Sequence, residues 1–204
     1  MYKLDETKIF GATVQELLYL GYTFNEFELG PVIQEHYLIK NMNKGTKVSN
    51  FGNVENKYQL SSSFAYLDSL LGPLIETYLN QSSLMQNYSI LSKNVPFKLH
   101  SAEMNMQYKN DFIHTHIRNG LFSFVLWLDV PFSKETQKNN SGKLTLHSSD
   151  IFGSNATSHI ELDESLKYNV ILYPSRFGMS ITPFIGTDEP CVFVTGNFNL
   201  HIDD

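Results

Sequence analysis

The chain has one cysteine, Cys191, and one tryptophan, Trp127, in 204 residues. A lone thiol excludes an internal disulfide and a cysteine-rich zinc site, because both need more than one sulfur. Arginine stands at two positions only, Arg118 and Arg176, and the formal net charge is -6. Together these exclude a general binder of nucleic acid or anionic membrane, which needs a basic surface. No apolar run approaches the roughly eighteen residues of a membrane-spanning helix. The opening Met1-Tyr-Lys-Leu-Asp-Glu-Thr-Lys8 is too charged for a secretory leader, so a reducing cytosol is the expected compartment. Paired-carboxylate, phosphate-loop and Ser/His/Asp patterns are missing as well, and with them three large groups of enzymes.

What is present reads as a folded globular chain. Hydrophobic residues make up 42% and charged residues 18%, a balance that supports a core within one domain, 1–204. Two textures divide it. Residues 1–95 read as a helical and irregular cover. Within them Tyr37-Leu-Ile-Lys40 is β-prone, while Asn41–Gly45 and Asn50–Asn53 read as turns. Ser61–Ser63 offers N-caps for a run with apolar residues at Phe64, Leu67, Leu70, Leu71, Leu74, Ile75 and Tyr78, which is helical spacing. Pro73 inside that run predicts a kink or a pair of helices. From residue 96 to 204 the pattern turns to strands, expected at Lys98–Met106, Leu121–Val130, Lys143–His147, His159–Leu162, Asn169–Tyr173, Met179–Phe184 and Cys191–Leu200. Polar loops are expected at Ser133–Gly142 and Gly186–Pro190. The fold class is α+β, with N-terminal helices packed outside an antiparallel β-sandwich or barrel.

The candidate chemistry lies in Asp111-Phe-Ile-His-Thr-His-Ile-Arg-Asn-Gly120. Two imidazoles at i and i+2 of a strand share a face, which suits a metal ion. They suit equally a surface pair bonded to backbone. Trp127, Phe122, Phe124 and Phe132 read as strand packing, Cys191 as filler of a small core space, and Asp203-Asp204 as a solvated tail.

An ordered set of further pieces carries a resemblance. Asn105-Met-Gln-Tyr-Lys-Asn-Asp-Phe112 precedes the histidines, and Ser123-Phe-Val-Leu-Trp-Leu-Asp-Val-Pro131 follows them. Then come Gly142-Lys-Leu-Thr-Leu146, Ile171-Leu-Tyr-Pro-Ser175, Thr182-Pro-Phe184 and Thr195-Gly-Asn-Phe198. In order and spacing this set resembles the Fe(II)/2-oxoglutarate oxygenase superfamily, and within it the oxygenase-like proteins of tailed bacteriophages, T4-like and marine. The resemblance implies a double-stranded β-helix, or jelly roll. It also implies iron held by two histidines and a third side chain, with an arginine forming a two-pronged ion pair to 2-oxoglutarate.

Carried over residue by residue, the paired ligands fall on His114 and His116. The position of the third ligand holds Met179, and that of the 2-oxoglutarate arginine holds Cys191. A thioether is a soft ligand poorly suited to Fe(II) among oxygen donors. A thiol offers no charged fork. Arg176 and Arg118 are the candidate replacements for the arginine, and His147 and His159 for the third ligand. The expectation is therefore a phage protein, in host cytoplasm or virion, with an oxygenase-like fold and no working iron site. It would act as a binding or structural module for protein partners and need no cofactor. One alternative is an active Fe(II)/2-oxoglutarate-dependent dioxygenase with a displaced third ligand. Another is a small-molecule sensor using the vestigial pocket.

Overall fold

A computed structural model describes residues 8–13, 17–42, 46–47, 53–82, 96–138, 140–149 and 155–201. The expected Asn50–Asn53 turn falls largely, and the Asp203-Asp204 tail wholly, outside these residues. Two α-helices are present among them, α1 (Gly30–Met42) and α2 (Phe64–Gln81). The strands are β1 (Ile9–Thr13), β2 (Leu17–Thr23), β3 (Thr46–Lys47), β4 (Asn56–Gln59), β5 (Phe97–Gln107), β6 (Ile113–His116), β7 (Phe122–Asp129), β8 (Lys143–Ser149), β9 (Asn155–Glu161), β10 (Asn169–Pro174), β11 (Gly178–Ile181) and β12 (Cys191–Leu200).

The strands form two antiparallel sheets. The larger runs β1-β2-β10-β7-β12-β5-β4-β3 and the smaller β6-β11-β8-β9. From β5 onward the chain steps back and forth between them, so that β5, β7, β10 and β12 lie in one and β6, β8, β9 and β11 in the other. This is the double-stranded β-helix. The N-terminal segment does more than cover it, because β2 pairs with β10 and β4 with β5, and so the larger sheet is extended at both ends. Tyr37-Leu-Ile-Lys40, expected to be β-prone, lies in α1. The burial of Val32 and Ile39 along one helix overrode the local β preference.

The middle of the larger sheet is buried on both faces, which explains the unbroken apolar run Phe124–Leu128. Its central strand β7 is buried from Phe122 to Leu128. Even-numbered residues of that strand meet Leu67, Leu71, Leu74, Ile75 and Tyr78 of α2 in one core. Odd-numbered Val125 and Trp127 join a second core against Leu144, Leu146, Met179 and Ile181 of the smaller sheet. Gly196 at the middle of β12 has a steric cause, since a Cβ there would lie 2.3 Å from the Ser101 carbonyl oxygen and 2.6 Å from the Phe124 ring.

Helix α2 runs unbroken through Pro73 and is one helix, not two. The missing amide costs one hydrogen bond, and its apolar stripe stays buried against the sheet on either side. Ser63 precedes the helix as expected but gives no side-chain cap. Its hydroxyl donates instead to Glu35 Oε2 at 2.6 Å, and the Ser61, Ser62 and Ser63 amides donate to the same carboxylate at 2.8, 3.1 and 2.8 Å. A buried carboxylate of α1 thus sits on the N-terminus of α2, where amides and dipole both favour an anion.

Candidate site inside the jelly roll

The two candidate histidines do not share a face. Met179 pairs with His116 and Ile181 with Ile113, so two residues, His114 and Thr115, oppose Ser180 alone. That is a β-bulge, and it interrupts the alternation on which the same-face reading depended. Ile113 and Met179 are buried in the inner core, His116 is half-buried, and His114 is exposed with its ring edge-on to Phe112 at 4.5 Å.

His116 is fixed by its own strand. Its Nδ1 lies 2.9 Å from the His114 carbonyl oxygen, and since a carbonyl only accepts, Nδ1 carries the proton. Burial holds the ring below the ordinary imidazole range. That backbone bond opposes the shift, the cations of Arg118 and Lys57 add to it, and Glu103 pulls back. At neutral pH the ring is therefore uncharged.

Those three charged groups form a cluster within the sandwich. Residues Glu103, Asn105 and Gln107 of β5 face inward, paired across to Thr195, Phe193 and Cys191 of β12, and Lys57 of β4 pairs with Asn105. Lys57 Nζ stands 2.7 Å from Glu103 Oε2, with the lysine side chain only 4% exposed. Arg118 leaves the end of β6 and turns in, its Nη2 donating to Thr195 Oγ1 at 2.7 Å and its Nη1 lying 3.5 Å from Glu103 Oε2. Asn105 Nδ2 donates to the same threonine hydroxyl at 3.0 Å. Burial pushes the Tyr173 hydroxyl, near this cluster, up to about 12, with the Arg118 charge acting against the rise.

The loop that carries Arg118 is pinned from both sides. The Leu121 amide donates to the Phe198 carbonyl at 2.9 Å, and Asn197 Nδ2 donates to the Asn119 carbonyl. Gly120, between them, takes a φ of +132° with Asn197 against it, a backbone state that a side chain would strain.

The remaining candidates lie elsewhere. Arg176 is exposed, its guanidinium 5.5 Å from the centre of the Phe177 ring. His147 and His159 belong to the residue set of β8 and β9 that alternates with inward Leu144 and Leu146, so they face away from the core. His147 approaches Ser180 Oγ at 3.4 Å and His159 approaches Thr145 Oγ1 at 3.0 Å. Cys191 faces inward as a buried neutral thiol, since burial drives its ionisation far above the ordinary range. Among the described residues no three His, Cys, Asp or Glu side chains are placed to hold a metal ion.

The residues at hand therefore do not fit Fe(II). Beside His116 stand a thioether and a guanidinium, and the carboxylate of Glu103 is engaged by two cations. Sequence reasoning missed Lys57, Glu103 and Thr195, and weighed Arg118 only as a replacement anchor for 2-oxoglutarate. The available signal was Glu103-Met-Asn-Met-Gln107, polar residues alternating with methionine within and just past the expected strand Lys98–Met106.

No family model and no curated protein matches the chain. Solved structures do. A prolyl-4-hydroxylase from Pseudomonas putida superposes with a TM-score of 0.55 at 10% identity, over 90% of this chain and 93% of that one. A 2OG-Fe(II) oxygenase family oxidoreductase from Burkholderia pseudomallei gives 0.57 at 12%, over 90% and 86%. A Trichoplax adhaerens prolyl hydroxylase, in complex with a hypoxia inducible factor peptide, gives 0.55 at 9%, over 89% and 83%. The chain thus has the jelly-roll fold of the Fe(II)/2-oxoglutarate oxygenases. No helix among the described residues is long and apolar enough to cross a membrane.

Proposed function

We propose that this chain is an oxygenase-type jelly roll without iron or 2-oxoglutarate chemistry, acting as a binding or structural module for a protein partner. The ordered motifs that resemble phage proteins support a bacteriophage origin. One observation carries the reading: the Arg118 guanidinium, held by Thr195 and Glu103, lies in the interior beside His116 where an oxygenase needs room for a cation. A fixed positive charge raises the energy of a divalent ion placed nearby, and burial removes the water that would screen it. The Cys191 thiol adds a second obstacle, because a neutral group cannot neutralise a buried dicarboxylate.

The test is an anaerobic titration of the purified chain with Fe(II) and 2-oxoglutarate, following visible absorption and melting temperature together. Neither should change at millimolar ligand, and His114→Ala/His116→Ala should behave as the parent does. A charge-transfer band, or a thermal shift lost in that variant, would restore the dioxygenase.

A further inference from the structure

We infer that Arg118 occupies a metal-ligand position and acts as a resident cation in the metal's place. The inference rests on the reading that the parent chain binds no iron, and goes beyond it by naming which residue prevents it. Register supplies the first step. His116 is the residue opposite Met179, and the bulge at His114 and Thr115 removes His114 from the inner face. The three inward groups at this end of β6 and β11 are then His116, Arg118 and Met179.

The second step is the engagement of the guanidinium. Arg118 reaches from the edge of the smaller sheet to Thr195 and Glu103 of the larger one, with its side chain 12% exposed. It therefore ties the two sheets together by charge-assisted bonds, as a metal ion shared between them would. Among the described residues, Lys57 at 2.7 Å from Glu103 completes a cluster of two cations and one carboxylate, with net positive charge. Lost ligands alone would leave a neutral hole, whereas here the site carries a charge of the metal's own sign.

The inference predicts how a metal site can be rebuilt. Met179→His alone should fail, because the guanidinium remains. Met179→His combined with Arg118→Asp should bind Co(II), giving ligand-field absorption and a rise in melting temperature, at least tenfold more tightly than Met179→His. Adding His114→Ala to that pair should change nothing. Equal Co(II) affinity with and without Arg118→Asp would overturn the inference, as would loss of binding on His114→Ala.

Should the carboxylate beside Glu103 prevent folding, Arg118→Gln in the Met179→His background removes the charge without adding another. It should again tighten Co(II) binding at least tenfold over Met179→His, and unchanged affinity would overturn the inference. Iron binding by the parent chain, measured in the earlier titration, would instead defeat the functional proposal. The two failures are thus distinguishable.

Discussion

On β5, neighbouring residues serve two different interiors. Ala102, Met104 and Met106 turn toward the α2 side and join the hydrophobic core packed against that helix. Glu103, Asn105 and Gln107 turn the other way, into the sandwich, where Glu103 and Asn105 meet Lys57, Thr195 and Arg118 and Gln107 donates to the Asp111 and Thr182 carbonyls. The first face is stabilised by area removed from water and tolerates any side chains of suitable volume. The second depends on each charge finding its partner, since a buried ion without one costs several kcal/mol. The difference teaches where this chain keeps its specificity. Its helix-side face is held by apolar packing, and its inner face at the β6 end by paired charges and hydrogen bonds.

Substitutions on each face should separate the two roles. Leu71→Ala, at a fully buried position of α2, should lower stability by about 2–5 kcal/mol, read as a drop in urea midpoint with an unchanged slope. Lys57→Met should cost somewhat less, about 3 kcal/mol, because Glu103 would keep only the longer contact to Arg118. The sharper sign is what a second change does. Adding Glu103→Gln to Lys57→Met should recover much of the loss, since it removes the stranded charge. Nothing comparable should rescue Leu71→Ala. If the double variant were as unstable as the sum of its parts, the inner cluster would be ordinary packing and the contrast would fail.

Both faces were legible in the sequence to different depths. The helix-side face shows in the spacing of Leu67, Leu70, Leu71 and Leu74, and the expected strand Cys191–Leu200, set off by the polar loop before it, coincides with β12. The N-terminal strands were not legible, because β2 and β4 join the sheet through β10 and β5, which lie far along the chain, and β1 and β3 pair in turn with β2 and β4. The candidate site was half legible. The paired histidines and Met179, read from motifs 63 positions apart, fall on β6 and β11, which pair with Met179 opposite His116. The bulge that separates His114 from His116 leaves no mark in composition, since it is fixed by the register of β11. Arg118 was hidden for a similar reason: only a closed sandwich brings the residue after β6 to Thr195, 77 positions later.

A carboxylate outside both cores offers a control on the charge argument. Glu35 is buried yet receives only hydrogen-bond donors, from the Ser63 hydroxyl and the amides of Ser61, Ser62 and Ser63. Burial raises its pKa, and those donors together outweigh burial and hold it below the ordinary carboxylate range. A depressed folded pKa means that the ionised form stabilises the native state. That contribution is complete above the unfolded value and disappears as pH falls through the folded one. Glu35→Gln should therefore cost about 1–3 kcal/mol at neutral pH and flatten the acid limb of a stability–pH profile. A variant that follows the parent curve at low and neutral pH alike would show that the serine amides bond equally well to a neutral partner.

The smallest expected effect concerns Cys191, which sits on the inner face between the two kinds of packing. It lies opposite Gln107 on β5, and its neighbours Phe193 and Met179 in the inner core are apolar. Burial, aided by the negative charge of Asp129, drives its ionisation well above the range of a free thiol. The thiolate is the reactive species, so alkylation at mildly basic pH should proceed only through molecules that have opened the sandwich. Its rate should rise with urea in parallel with global unfolding, and Leu71→Ala and Lys57→Met should both accelerate it. Equal acceleration at matched stability would mean that the two faces open together. A faster rate in Lys57→Met would mean that the charged end opens on its own, while the apolar face stays closed. That second result would locate the weak point of the fold at the cluster of Lys57, Glu103 and Arg118.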